Sequence, residues 1–167
     1  MKVVLSLGSN LGRRFTTLQG AVDTLFDAPG LEFVKASPVY ETDPVGGPGG
    51  QRPYLNAIVI AETTLEPRTL LERALSVENA FGRERLERWG PRTLDIDLIV
   101  VGDVVSDDPE LTLPHPRAHE RAFVLVPWAA ADPEGELPGK GAVAGLLEGL
   151  DRRGVRLRED LKLQRPD

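Results

Sequence analysis

The chain has 167 residues and no cysteine, which excludes disulfides, thiolate metal sites and cysteine nucleophiles. Its 20 basic and 26 acidic residues give a formal net charge of −6, which argues against a general binder of nucleic acids or anionic membranes. We expect one domain, residues 1–167, in the cytoplasm, because the apolar start MKVVLSL ends at Gly8 and no window is long enough to cross a bilayer.

The first 42 residues predict a strand, a helix and a second strand. The strand covers residues 2–7, and Ser9 or Asn10 is placed to cap an amphipathic helix over residues 11–27. Residues 31–42 predict a strand that Pro38 restricts to a sheet edge or a bulge.

A loop rich in glycine and proline follows. Residues 43–53 hold four glycines and three prolines in eleven residues, and a loop of this composition is either a mobile lid or a disordered insertion. The sequence leaves both interpretations open.

Residues 54–63 predict a strand with an amide on an otherwise apolar face. Tyr54, Asn56, Ile58 and Ile60 alternate onto one side, and an amide in that setting is costly unless its donors and acceptor are paired. A flat ring with an amide-like edge would satisfy Asn56 while stacking near Tyr54. Backbone capping by Asn56 is the structural alternative.

Pro67 is placed to begin a helix that Gly82 ends, and an arginine-rich segment with the sequence GRERLERWGPR comes next. From Thr93 the chain predicts a strand whose faces alternate. One face would hold Leu94, Ile96, Leu98 and Val100, and the other Asp95, Asp97, Ile99 and Val101.

The two carboxylates, roughly 6.6 Å apart at Cα from the rise of a strand, need a cationic partner. Hard oxygen ligands at this spacing suit Mg²⁺ together with substrate phosphate. An internal salt-bridge network with the arginines is the alternative. The chain has no lysine between residues 36 and 139 and no Walker A pattern, so phosphate contacts in its middle would come from arginine.

Residues 113–127, LPHPRAHERAFVLVP, contain both histidines of the chain. His115 and His119 are four apart and would share a helix face, as in some zinc sites, but HExxH is absent. The segment from Phe123 is apolar enough for a core, residues 141–150 predict a last helix, and residues 155–157 predict a short strand.

The order strand, helix, strand, strand, helix, strand predicts an α+β fold. We expect a ferredoxin-like βαββαβ core with an antiparallel sheet, helices on one side, and C-terminal additions. This fold has many functions and does not identify one.

Six motifs in this order resemble the 6-hydroxymethyl-7,8-dihydropterin pyrophosphokinase family over nearly the whole chain. They are GSNLG at 8–12, YETDP at 40–44, YLN at 54–56, E..FGR at 78–83, RWGPRTLDIDLI at 88–99 and LPHPRAHERAFVLVP at 113–127. Leu75 departs from the family pattern, which commonly has a polar residue there.

The resemblance implies roles for individual residues. It implies catalytic roles for Arg83, Arg92, Asp95 and Asp97, the two aspartates being metal ligands. The residues implied to bind the pterin are Thr42, Pro44, Val45, Tyr54, Asn56, Trp89 and Phe123. The residues implied to bind ATP are Glu78, Arg83, Arg92, Ile99, Leu111, Thr112, His115 and Arg121.

The reaction that the resemblance implies is attack of the pterin hydroxymethyl oxygen on the β-phosphorus of ATP, with AMP leaving. Two Mg²⁺ ions bound with ATP would neutralise charge. The expected partners are ATP and a pterin alcohol, without nucleic acid or membrane, and we expect a monomer. A ferredoxin-like RNA-binding module and a phosphotransferase for another alcohol are the rival hypotheses.

Overall fold

The computed structural model describes residues 1–44, 49–82 and 93–166. Its strands are β1 (Lys2–Ser9), β2 (Leu31–Ala36), β3 (Tyr40–Thr42), β4 (Tyr54–Thr63), β5 (Asp95–Val101), β6 (Ser106–Asp108), β7 (Leu111–Leu113), β8 (Glu136–Leu137), β9 (Gly141–Ala142) and β10 (Val155–Leu157). Its α-helices are α1 (Arg14–Leu25), α2 (Pro67–Ala80), α3 (Ala122–Ala131) and α4 (Val143–Leu147), with a 3-10 helix at Ala118–Glu120.

The main sheet is built around β1. This strand pairs with β4 on one side and with β5 on the other, and both pairings are antiparallel. The far edge of β4 pairs with β2 and β3 in turn, and β3 also pairs with β10. The predicted antiparallel βαββαβ core is confirmed, and β10 extends it by one strand.

The predicted strand over residues 31–42 is divided into β2 and β3 near Pro38. Ser37 replaces the missing ladder contacts at the break: its N–H donates to the Ile58 carbonyl at 2.8 Å, and its Oγ accepts from the Ile58 N–H at 2.8 Å. Because proline cannot donate to the ladder, the break falls beside it, as the sequence predicts.

Helices cover the sheet on both faces. The two core helices, α1 and α2, pack Leu18, Val22 and Leu70 onto one face, where they join a single apolar cluster with Leu5 and Val59. The helices of the predicted core therefore lie on one side.

The opposite face is covered by α3. The sequence predicts its residues only as an apolar segment, yet they form a helix that buries Val124 and Trp128 against Val4, Ile58 and Ile60. A C-terminal addition thus supplies the second layer, and the last predicted helix is shortened to α4.

The predicted face alternation of the aspartate strand is correct as far as Ile99 and wrong after it. Leu5 pairs with Leu98 and Val4 pairs with Val100, which leaves Ile99 as an extra residue in β5. Such a bulge reverses the faces beyond it, so Val100 joins the α3 side and Val101 the α1 side. The carbonyl of Ile99 accepts the His115 N–H at 2.9 Å, which fastens residues 113–115 to this strand.

The predicted cap of the first helix is also wrong. The helix begins at Arg14, with Arg13 at the N-cap and no side-chain capping bond. Asn10 instead donates from Nδ2 to Gln51 Oε1 and to the Arg52 carbonyl, both at 3.2 Å. This asparagine holds the end of the 43–53 loop.

None of the helices in the described ranges has both the length and the apolar character that crossing a membrane requires.

Candidate active site

A cavity of about 510 Å³ lies on the α3 side of the sheet, beyond the start of that helix. Its floor is formed by side chains of β1, β4 and β5, and its walls by residues 42–44, residues 115–123 and residues 151–155. This volume falls within the range of small-molecule sites, about 300–1,000 Å³.

The floor of the cavity follows from strand register. Gly8 of β1 lies between Asn56 of β4 and Asp95 of β5, and Ser6 lies between Ile58 and Asp97. Because neighbouring strands are about 4.8 Å apart, Asn56 and Asp95 stand roughly 10 Å apart across the glycine. The smallest side chains are therefore in the middle, with an amide on one side and two carboxylates on the other.

The amide of Asn56 is held from both ends. Thr42 donates its hydroxyl to Asn56 Oδ1 at 2.5 Å, and Asn56 Nδ2 donates to the Leu7 carbonyl at 3.3 Å. Thr42 and Asn56 are 2% and 4% exposed. These contacts fix which amide end faces which way, and one of them is to a backbone carbonyl, as in the structural alternative. Recognition of a ring edge by Asn56 stays a prediction.

Asp95 and Asp97 both line the cavity, as their shared strand face predicts. Arg121 reaches them from the segment before α3, with its Nη1 4.0 Å from Asp97 Oδ2. Its guanidinium also lies 5.4 Å from the centre of the Phe123 ring. Burial lowers the pKa of Arg121, and the negative charges of Asp97 and Asp95 partly offset this shift. An arginine stays cationic despite a shift of this kind.

The aspartate pair has the donor chemistry that Mg²⁺ requires. Both side chains supply hard carboxylate oxygens to a cavity open to solvent, and the Asp97 side chain is 42% exposed. Within the described ranges, no third His, Asp or Glu completes a metal-binding group with them. The residues present fit an ion that takes its other ligands from phosphate and water.

His115 enters the cavity as a neutral ring. Burial, together with the positive charges of Arg121 and Arg117, lowers its pKa to about 4. Its Nδ1 accepts the Arg117 N–H at 3.2 Å, so the proton of the neutral ring is on Nε2. The hypothetical zinc pair is not formed on a common helix, because His119 lies in the short 3-10 helix and His115 precedes it.

The structure brings together most of the described residues that the sequence assigns to the site. Those in the cavity wall are Thr42, Pro44, Tyr54, Asn56, Asp95, Asp97, His115, Arg121 and Phe123. The assignments to Val45, Arg83, Trp89 and Arg92 lie outside the described residues.

Four residues assigned to ATP are not in this wall. Glu78 is buried behind the sheet, where its Oε2 accepts the Ile96 N–H at 2.7 Å and so holds the start of β5. Ile99 and Leu111 are buried in the two apolar clusters, and the Thr112 hydroxyl donates to the Asp108 carbonyl at 3.0 Å. Their contact with nucleotide stays a prediction.

Other wall residues were missed by the sequence reasoning. Ser6 and Gly8 had a signal, since their alternation along β1 places two small residues on one face. Asp43 lies within the YETDP motif, between the assigned residues Thr42 and Pro44. Asp151, Gly154 and Val155 had no signal, because only the pairing of β10 with β3 brings residues 151–155 to the cavity.

Comparisons with known proteins find similar chains. Residues 4–133 match the model of a family described as 7,8-dihydro-6-hydroxymethylpterin-pyrophosphokinase (HPPK). The chain is 46% identical to 2-amino-4-hydroxy-6-hydroxymethyldihydropteridine pyrophosphokinase of Mycobacterium tuberculosis, with 93% of this chain and 89% of that protein covered. It is 42% identical to the protein of the same name from Synechocystis, with 91% and 77% covered.

Solved structures show the same fold. A structure described as HPPK-DHPS in complex with substrates aligns with a TM-score of 0.68 at 12% identity, covering 88% of this chain and 43% of that one. The wild-type HPPK-DHPS of Plasmodium falciparum with pteroate aligns with a TM-score of 0.67 at 13% identity, covering 88% and 42%. The present chain thus spans less than half of those longer chains.

The family match and these relatives show an enzyme of the pyrophosphokinase class. The chain belongs to the 7,8-dihydro-6-hydroxymethylpterin-pyrophosphokinase family.

The lowered pKa of His115 predicts a pH dependence of stability. Since an unfolded histidine titrates near 6.5, the unfolded chain binds this proton first as the pH falls. The contribution of His115 to stability is therefore complete above about pH 6.5 and is lost as the pH falls to about 4. Proton NMR should show the His115 ring titrating near pH 4, with assignment by His115→Asn. A midpoint at or above 6.5 would contradict the burial argument.

Proposed function

We propose that this chain transfers the pyrophosphoryl group of ATP to the hydroxymethyl group of 6-hydroxymethyl-7,8-dihydropterin, releasing AMP and the pterin diphosphate. The observation that carries the proposal is the floor of the cavity, where the fixed amide of Asn56 and the carboxylate of Asp95 flank Gly8, with Asp97 beside Ser6. An amide suited to a ring edge and a carboxylate pair suited to a metal–phosphate complex thereby face one cavity. The family and the names of the relatives support this reaction, which is a step of folate biosynthesis.

The pterin would lie on the β4 side of the cavity. Tyr54 and Phe123 line it from separate elements and supply flat apolar surfaces for the two faces of the ring. Asn56, held by Thr42 and Leu7, would pair with the amide-like edge of the ring. A fixed amide discriminates strongly between ligands, because a ligand without the matching hydrogen-bonding edge leaves buried polar groups of the protein unsatisfied.

The triphosphate would lie on the β5 side. Arg121 beside Asp97 is placed to contact a phosphate oxygen with its planar donor fork, and His115 offers a neutral N–H rather than a charge. Asp95 and Asp97 would hold Mg²⁺, which supplies charge neutralisation at the phosphates. The residues then contribute mainly position and electrostatic stabilisation, as is general for phosphoryl transfer.

Product identification tests the reaction directly. Incubation with Mg²⁺, ATP and the pterin alcohol should give AMP and a pterin diphosphate in equal amounts, because attack at the β-phosphorus leaves AMP. Chromatography separates the nucleotides, with inorganic phosphate release as a control for simple hydrolysis. Stoichiometric ADP would show transfer of one phosphoryl group and would contradict the proposal.

The aspartate pair gives a second prediction, which concerns metal. Asp97→Asn should change metal-free stability by less than about 1 kcal/mol, because its ion pair with Arg121 is long and partly exposed. In the presence of a non-hydrolysable ATP analogue and Mg²⁺ at 100 times the dissociation constant, the wild type should gain about 2.7 kcal/mol. The variant should lose most of that gain in thermal melts.

Asp108→Asn is the matched control for Asp97→Asn. Asp108 also pairs with an arginine, Arg68, and its side chain is 43% exposed, but it lies outside the cavity wall. The control should keep the whole ligand-induced shift. An Asp97→Asn protein that is strongly destabilised without metal, yet still gains the full shift, would favour the salt-bridge interpretation.

A further inference from the structure

One carboxylate behind the cavity contacts arginines from two distant parts of the chain. Glu41 Oε2 accepts from Arg14 Nη1 at 3.0 Å and from Arg158 Nη1 at 3.1 Å, and Glu41 Oε1 lies 3.7 Å from Arg156 Nη2. Burial alone would raise the pKa of Glu41, but the hydrogen bond from Arg14 and the charges of Arg14, Arg158 and Arg156 lower it overall. Glu41 is therefore held as an anion between the N-terminal helix and the C-terminal strand.

The same arginines hold both ends of the 43–53 loop. Arg156 Nη2 lies 2.9 Å from Asp43 Oδ1 at the beginning of the loop. Arg14 Nη1 donates to the Pro53 carbonyl at 2.9 Å at its end. Glu41 joins the two arginines, so a single anion connects the two points at which the loop leaves and rejoins the sheet.

Strand geometry couples Glu41 to the cavity. Glu41 pairs with Arg156 across β3 and β10, and Thr42 pairs with Val155. Successive side chains point to opposite faces, so Glu41 lies behind the sheet while its neighbour Thr42 faces the cavity and holds Asn56. A shift of β3 at Glu41 would thus move the hydroxyl that orients the amide.

The C-terminal part of this arrangement lies beyond the region that matches the family model, although relatives align with it. The match ends at residue 133, yet Asp151, Gly154 and Val155 line the cavity. The Gly154 carbonyl accepts the Asp43 N–H at 2.9 Å, and a Cβ at Gly154 would lie 3.3 Å from Asp43 Oδ2. The C-terminal strand thus contacts the first loop residue through both backbone and side chains.

We propose that Glu41, Arg156 and Arg158 are positioning residues that hold Thr42 and Asp43 for binding of the pterin, which makes the C-terminal strand a working part of the substrate site. This inference rests on the proposed function, because it assigns the β4 side of the cavity to the pterin. None of the three residues takes part in the chemical step.

The test compares two ligands in one variant. Arg156→Gln should raise the dissociation constant for the pterin alcohol by about fivefold, the factor that partly exposed ion pairs can contribute. The dissociation constant for the Mg²⁺ complex of a non-hydrolysable ATP analogue should stay within about twofold, a change below roughly 0.4 kcal/mol. Both are measured by calorimetric titration, the pterin with the analogue at saturation, and Arg156→Lys should recover part of the pterin affinity because it restores the charge.

Arg68→Gln is the matched control. Arg68 also contacts two carboxylates, Asp108 and Glu110, and its side chain is 47% exposed against 45% for Arg156. It lies outside the cavity wall, so neither dissociation constant should change. Glu41→Gln provides an independent second variant with the same expected selectivity for the pterin.

The outcomes are distinct. A loss of pterin affinity with nucleotide affinity retained supports the inference. Unchanged pterin affinity, or an equal loss for both ligands, overturns it while leaving the proposed function intact, provided that the wild type still yields AMP. A wild type that yields no AMP from ATP and the pterin alcohol overturns the proposed function, and this inference with it.

Discussion

The close packing of Gly8 against Asn56 is the constraint on which the site depends. The central strand β1 has no side chain at Gly8, and a Cβ built there would lie 2.6 Å from Asn56 Nδ2 and 3.4 Å from Tyr54 Cδ2. The first distance is shorter than a nonbonded contact can be, so the amide occupies space that only glycine leaves free. The register of β1 then places Asp95 on the other side of the same glycine. One residue without a side chain thus lets a fixed amide and a carboxylate pair share a cavity.

The rest of the fold keeps this arrangement in place. On one face α1 and α2 bury the apolar side chains of β1 and β4, and Glu78 of α2 holds the start of β5 through the Ile96 N–H. On the other face α3 covers only part of the sheet, which leaves the floor around Gly8 accessible. The bulge at Ile99 also contributes to the site, because the Ile99 carbonyl accepts the His115 N–H and so holds His115 at the cavity wall. Apolar packing supplies the stability, and irregular backbone positions supply the polar contacts.

Patterns within short stretches of sequence predicted the features that depend on neighbouring residues in the chain. Strand alternation was enough to place Tyr54 with Asn56 and Asp95 with Asp97, and Pro67 marked the start of α2. The bulge at Ile99 could not be predicted, because no residue in the aspartate strand signals an extra residue. Asn10 was assigned to a helix cap because capping is the common role of asparagine before a helix, whereas tertiary contacts assign it to the loop end. Residues 151–155 reach the cavity through pairing over more than 110 residues, and such contacts leave no local pattern.

The substitution Gly8→Ala tests most directly whether Gly8 sets the position of Asn56. The affinities of this variant for the pterin alcohol and for the Mg²⁺ complex of an ATP analogue are measured. Alanine is compatible with the extended backbone of β1, so the added methyl group should act mainly by displacing the Asn56 amide. Pterin affinity should fall about tenfold or more, equal to about 1.4 kcal/mol, with nucleotide affinity nearly unchanged. Gly145→Ala, where a Cβ would meet nothing within 4 Å, should leave both affinities unchanged. A Gly8→Ala protein that binds the pterin as tightly as the wild type would contradict this role of Gly8.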